Sequence, residues 1–188
     1  MTRPRLDRAA VIERAALILD DRNSGGLNLA GLAESLGVRA PSLYKHVDGM
    51  PGLHRGIMLL AKENLARSLG QAAVGRSRED AIRALALAYR RWALEHPGQY
   101  PKTVHAPVEG DEEDAKVSSS LVDVVFNVLA GYGLRDDDAV DATRFLRSSL
   151  HGFVDLETSG AFELPADLER SFARLTESVV TALSTWSR

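Results

Sequence analysis

Apolar positions recur at helical spacing along nearly the whole chain, and strict apolar–polar alternation is scarce. Residues 7–21 place Val11, Ile12, Ala15, Ala16 and Leu19 on one face. The tract DDRNSGGLN interrupts that pattern, and Asn28 is placed to cap a short helix over 29–36 that ends at Gly37. A second short helix, about 40–46, accepts Pro41 in its first turn. After Asp48-Gly49, Pro51 opens a longer helix with Leu53, Ile57, Leu60 and Leu65 inward, fading towards Gly70 and Gly75. Ser77-Arg78-Glu79-Asp80 has the form of a capping box ahead of Ile82, Leu85, Ala86, Tyr89 and Ala93. That helix stops at His96-Pro97-Gly98, and the stretch 97–110, with three prolines, reads as a loop with at most a helical turn. The acidic run Asp111, Glu112, Glu113, Asp114 suits a helix N-terminus. LVDVVFNVL could pass for a strand, but Leu121, Val124, Val125, Val128 and Leu129 keep helical spacing and predict a buried helix. Asp136–Asp138 open another helix, running to Gly160, and Pro165 opens the last. The expected fold is all-α: an N-terminal three-helix unit over residues 1–48 and a helical body over 49–188, with the helix at about 51–70 as connector.

The stretch LAESLGVRAPSLYKHV, residues 32–47, carries the most specific pattern. In a helix-turn-helix two short helices cross steeply, and the second enters the DNA major groove. The crossing needs a small residue, supplied by Ala33, and the turn needs a residue tolerant of positive φ, supplied by Gly37. Leu32, Leu36, Val38, Leu43 and Val47 fall on the inward faces. Arg39, Ala40, Ser42, Tyr44, Lys45 and His46 have no core role in this register and form a candidate DNA face of cations, hydroxyls and one small apolar residue. Thr2, Arg3 and Arg5 supply a flexible basic arm, and Asn28 a capping group near the backbone. The bland reading of the same words is a pair of packed helices with a polar outer face.

Composition adjusts this picture only slightly. The chain has 188 residues, 45% hydrophobic and 26% charged, in the range of soluble globular proteins. It has no cysteine, which excludes a disulfide framework, an iron–sulfur cluster and a thiolate zinc site. No apolar run approaches the ~20 residues of a membrane span, and no signal-type apolar core follows the N-terminus. A cytoplasmic protein without a membrane partner is expected. Net charge is −3, but residues 1–70 hold 10 Lys and Arg against 7 Asp and Glu, and the remainder 13 against 19. An anionic partner would meet the N-terminal part.

Enzyme chemistry finds little support. The histidines, His46, His54, His96, His105 and His151, form no His-Glu-x-x-His pattern or metal array. His151 and Asp155 lie one helical turn apart and read better as a hydrogen-bonded pair than as metal ligands. No nucleophile elbow or Gly-rich phosphate loop follows a strand. Neither metal nor cofactor is expected.

The words GLAESLGVRAPSLYKHV and the preceding VIERAALILDDR resemble the DNA-binding domain of TetR-type transcriptional regulators. HGFVDLETSGAFELPADLERSFARL, residues 151–175, resembles the ligand-binding half of one subgroup. The chain departs from the family pattern at DGMPGLHR. Many members place a phosphate-binding lysine there; here the contact is either lost or moved to His54 or Arg55. The resemblance implies a one-component homodimeric repressor, released from a palindromic double-stranded operator by a small-molecule effector. It also implies an effector pocket in the body. Tyr89, Trp92, Tyr100, His105, Phe126, Asn127, Phe145 and His151 are candidate liners, although plain core packing also accounts for the aromatic residues.

The final helix carries an apolar seam of Leu168, Phe172, Leu175, Val179, Ala182 and Trp186, and the preceding helix offers Leu146, Leu150 and Phe153 at similar spacing beside Ser148, Ser149 and Gly152. Two such hairpins make a four-helix dimer interface. Val180 and Leu183, beyond the seam, would be exposed in a monomer and so favour the dimer. Two other readings compete. An architectural DNA binder without an effector would show no pocket and no ligand response. An all-α enzyme or small-molecule carrier would show no salt-dependent DNA affinity.

Overall fold

A computed structural model describes residues 6–21 and 24–186, and these form helices joined by turns, with no strand among the described residues. Thr2, Arg3 and Arg5 lie outside the described residues.

Helix α1, Arg8–Asp20, starts where the Asp7 carboxylate accepts from the Ala10 N–H at 2.9 Å. Helix α2, Leu29–Ser35, starts in the same way, with Asn28 Oδ1 accepting from the Gly31 N–H at 2.9 Å. Gly37, at φ +66°, turns the chain, as the register requires. The second short helix differs from expectation: Ala40–Lys45 is a 3₁₀ segment, with Pro41 at its start. Its tight i→i+3 bonds, Ser42 N–H to Arg39 C=O at 2.8 Å and His46 N–H to Leu43 C=O at 2.8 Å, suit a stretch too short to gain from regular α-helix.

Helix α3, Gly49–Ala73, begins before Pro51 and continues through Gly70. Helix α4 is Arg78–Glu95, but the capping box does not form. The Ser77 side chain makes no cap bond, and Arg78 enters the helix at φ +48°. One 3₁₀ turn, Tyr100–Thr103, interrupts the following loop. Helix α5, Glu112–Ala130, is capped by Asp111, whose carboxylate accepts from the Asp114 N–H at 3.0 Å. Helix α6 is Asp136–Thr158 and helix α7 is Leu168–Trp186. Asp167, accepting from the Glu169 N–H at 2.9 Å, sets the start of α7; Pro165 lies in the preceding turn.

Two hydrophobic clusters organise these helices. The first gathers Val11, Ile12, Ala15, Leu32, Leu43 and Val47 with Leu53 and Ile57 of α3. The second gathers the rest of α3, from Ala61, with α4, α5, α6 and α7. Helix α3 therefore belongs to both. Close approach fixes its first half, because a Cβ on Gly56 would fall 2.5 Å from Ile12 Cδ1. Helix α5 is less buried than its spacing suggested. Val128 and Leu129 reach the core, Leu121 and Val125 border a cavity, and Val122 is exposed.

Candidate functional site

The N-terminal unit presents its recognition segment on buried anchors. Leu43 and Val47 are sunk in the first cluster, so the remaining side chains of the 3₁₀ turn point away from it. Tyr44 is 61% exposed, and Arg39 and Lys45 are exposed. None of these three side chains has a hydrogen bond or ion pair among the described residues. Ala40, Ser42 and His46 are half-buried beside them. Asn28 stands at the α2 N-terminus with Oδ1 committed to its cap. Of the two residues considered for the missing phosphate contact, Arg55 is engaged within the chain. Arg55 donates to both Asp111 oxygens at 2.7 Å and to Glu113 Oε2 at 2.8 Å, and so faces α5. His54 turns a buried, unpartnered Nδ1 inward, and burial, then the nearby Lys102 charge, lowers its pKa.

Behind this unit, among the described residues, side chains tie α1 and α3 to α5 and the 96–99 turn at three points. Arg55 makes the first. Lys62 makes the second: only 1% exposed, its ammonium donates to Asp114 Oδ1 at 2.5 Å and Ser118 Oγ at 3.0 Å. Asp20, at the end of α1, makes the third. Its carboxylate accepts from the backbone N–H groups of Gly98 at 2.9 Å and Gln99 at 3.0 Å, and pairs with His96 Nδ1 at 2.9 Å. The backbones approach so closely there that a Cβ on Gly98 would lie 2.0 Å from the Leu19 carbonyl oxygen. The His96 ring in turn lies 4.8 Å from the buried Trp92 ring, centroid to centroid.

The body encloses a cavity of about 210 Å³ between α3, α4, α5, α6 and the 103–107 loop. Leu65, Leu69, Leu85, Leu121, Val125, Leu146 and Leu150 give it an apolar wall. Lys62, Ser118, Thr103, Thr143 and Arg147 add polar groups. Of the candidate liners, Tyr89 and His105 border this space. Tyr100 and His151 stand one step behind it. The Tyr89 and Tyr100 hydroxyls lie 3.0 Å apart, and the Tyr100 hydroxyl lies 2.6 Å from His151 Nδ1. Burial raises both phenol pKa values, most strongly for Tyr100, so the pair stays protonated. His151 thus bonds to Tyr100, not to Asp155 as its spacing suggested. Trp92, Phe126, Asn127 and Phe145 do not line the cavity. Trp92 is buried against His96, Phe126 is half-buried on α5, Asn127 faces a shallow surface hollow, and Phe145 packs on Trp186. No group of three or more His, Cys, Asp or Glu among the described residues could hold a metal.

The seam of the last two helices divides. Leu146, Leu150, Phe172 and Val179 are buried within the chain, 1–2% exposed, and are spent on the subunit's own core. Val180 and Leu183, expected to form an exposed patch, are also buried, because the strongly amphipathic α7 turns this stripe towards α4 and α6. Leu168, Phe153 and Leu175 are half-buried, and Trp186 is exposed at 37%, with its ring 5.5 Å from Phe145. The hairpin is held to α4 by Arg90, which donates to both oxygens of Glu157 and both of Glu169 at 2.7–2.8 Å while lying 4.9 Å over the Phe172 ring. Sequence reasoning missed Lys62, Asp114 and Arg90. A lysine inside the apolar face of α3 was the available signal for the first pair.

Comparison with known proteins agrees with this geometry. A family described as Tetracyclin repressor-like, C-terminal domain, matches residues 82–179. An uncharacterized HTH-type transcriptional regulator of Mycobacterium tuberculosis is 35% identical over 160 residues, 85% of this chain and 73% of the relative. Another, YobS of Bacillus subtilis, is 33% identical over 183 residues, 95% of this chain and 92% of its own. Among solved structures, a TetR variant of Acinetobacter baumannii in complex with minocycline superposes with a TM-score of 0.72 at 21% identity, covering 98% of this chain and 99% of that one. With its helix-turn-helix head and its cavity-bearing helical body, the chain belongs to the TetR family of helix-turn-helix transcriptional regulators.

Proposed function

We propose that the protein is a homodimeric, cytoplasmic repressor that leaves a palindromic operator when a small molecule fills the cavity, and that it catalyses no reaction. The observation that carries this reading is the outward trio Arg39, Tyr44 and Lys45 on an anchored segment, without partners among the described residues. Polar groups without internal partners are available to phosphates and base edges. In this reading Ser42, His46 and Ala40 approach the same groove, Asn28 meets the backbone, and Thr2, Arg3 and Arg5 form the basic arm. Residues 1–48 act as the reading head and α3 as the connector.

Two copies must hold their recognition segments about 34–36 Å apart to enter successive major grooves. The outer face of the α6–α7 hairpin suits that pairing. Ser148 and Gly152 are small, a Cβ on Gly152 would meet nothing within 4 Å, and Phe153, Leu168, Leu175 and Trp186 supply apolar area. The cavity lies between the connector α3 and α5, where an occupant bears on both. The minocycline held by the Acinetobacter protein is a precedent for a ligand in this fold.

The test is fluorescence anisotropy on DNA from upstream of the protein's own gene, across a salt series, with light scattering in parallel. Lys45→Ala weakens binding on all sequences alike and reduces the salt slope by about one unit. Gly152→Arg converts dimer to monomer and removes operator binding. Unchanged affinity in Lys45→Ala and Tyr44→Ala overturns the DNA face, and an unchanged dimer in Gly152→Arg overturns the interface.

A further inference from the structure

The charged lining of the cavity is one-sided. Lys62, paired behind the wall with Asp114, and Arg147 border it, and no carboxylate among the described residues does. We propose that its occupant is an amphipathic monocarboxylate, with the acid group on Arg147 at the mouth and an apolar body along the leucines inside. This rests on the effector reading above and names the chemistry of that ligand.

Arg147 is exposed at the cavity edge and donates to the Val104 carbonyl at 2.6 Å. That single bond holds the 103–107 wall and leaves most of the guanidinium's five N–H donors unspent. No carboxylate among the described residues pairs with it, whereas Arg55, Arg83 and Arg90 each hold carboxylates of the chain. A planar fork without a counter-ion beside an apolar cavity fits a carboxylate in bidentate fashion.

Lys62 closes the inner end. Its ammonium has three donors, and Asp114 and Ser118 take two. The third faces no acceptor among the described residues. A second carboxylate here would set two anions on one buried ammonium, a costly arrangement in low dielectric. The inner end therefore suits a neutral oxygen, and the acid belongs at Arg147. A ligand ammonium would meet the like charge of Arg147, which no carboxylate among the described residues offsets, and is disfavoured at the mouth.

Calorimetry on the DNA-free dimer with four probes of equal chain length, octanoate, methyl octanoate, octan-1-ol and octylamine, tests this. Octanoate is expected to bind about tenfold or more tightly than the others, the margin of a charge-assisted hydrogen bond. Rising salt weakens octanoate and leaves the ester unaffected. Arg147→Gln removes the advantage of octanoate over the ester, and Arg147→Lys keeps part of it. If Arg147→Gln also loosens the wall, both probes weaken, and the wild-type salt dependence then decides. Equal or tighter binding of the amine or ester overturns the proposal, as does absence of octanoate binding or an advantage that survives Arg147→Gln. Release of operator DNA is measured separately: octanoate that binds as described without releasing DNA overturns the effector reading and leaves the ligand chemistry standing.

Discussion

Lys45 and Lys62 lie on consecutive elements of the chain, yet their surroundings are opposite. Lys45 projects from the recognition turn, exposed and without a partner among the described residues; Lys62 is 1% exposed and shared between Asp114 and Ser118. The contrast extends to their neighbourhoods. Around Lys45 stand Arg39 and Tyr44, equally uncommitted. Around Lys62 the charged side chains are engaged within the chain, with Arg55 on Asp111 and Glu113, and Asp20 on the 96–99 turn. Hydrogen-bonding capacity spent inside the chain holds the head to the body, while capacity left unspent is available to a partner.

Substitutions on the two sides should separate cleanly. Phe172→Asp, which empties a buried ring site and puts a third carboxylate on Arg90 beside Glu157 and Glu169, should cost more than about 4 kcal/mol and abolish cooperative urea unfolding. It destroys the subunit, so it says nothing about the dimer. Lys62→Ala strands Asp114 and should cost about 3–5 kcal/mol, whereas Lys62→Met with Asp114→Leu removes both charges and should be neutral or gain about 1–4 kcal/mol. If the single and double variants unfold alike in urea, the ion pair is not what makes this part of the junction sensitive to substitution. Gly98→Ala forces Leu19 away and should cost about 1–3 kcal/mol, with faster hydrogen exchange at the end of α1 as its signature. Tyr44→Ala should lose about 1–3 kcal/mol of operator affinity while its midpoint in urea shifts by less than about 0.5 kcal/mol. A destabilised Tyr44→Ala would erase the contrast.

The smallest effect concerns acid. Arg55, and then the Asp114 backbone N–H, lower the Asp111 pKa to about 2. The folded value lies below the unfolded one of about 3.9, so the contribution is present above pH 4 and is lost as pH falls through about 2. Wild-type stability should therefore decline more steeply than that of Arg55→Gln in this window, read as urea midpoints at stepped pH.

Much of the fold was legible because helical periodicity and cap residues act locally. Asn28, Gly37 and Asp111 each mark a boundary through one hydrogen bond or one positive φ. The exposure of Arg39, Tyr44 and Lys45 was legible for the same reason, since it follows from the two buried anchors Leu43 and Val47. The cavity was not. Its wall unites Lys62, Tyr89, Ser118 and Arg147 from four helices, and no spacing in one helix reveals which side chains will meet. The seam of α7 misled for a related reason: periodicity identifies an apolar stripe but not whether the chain's own helices cover it, and α4 and α6 cover Phe172, Val179, Val180 and Leu183.

The ring contact between Trp92 and His96 has a spectroscopic consequence. The chain holds two tryptophans, Trp92 in the interior and Trp186 on the outer hairpin. In Trp186→Phe all indole emission comes from Trp92, whose neighbour His96 is bonded to Asp20 of the first helix. Indole emission depends on what packs against the ring, so emission from that one residue reports whether the His96 ring still rests between Trp92 and the Asp20 carboxylate. The protein thus carries its own optical gauge of head-to-body docking, readable without a label.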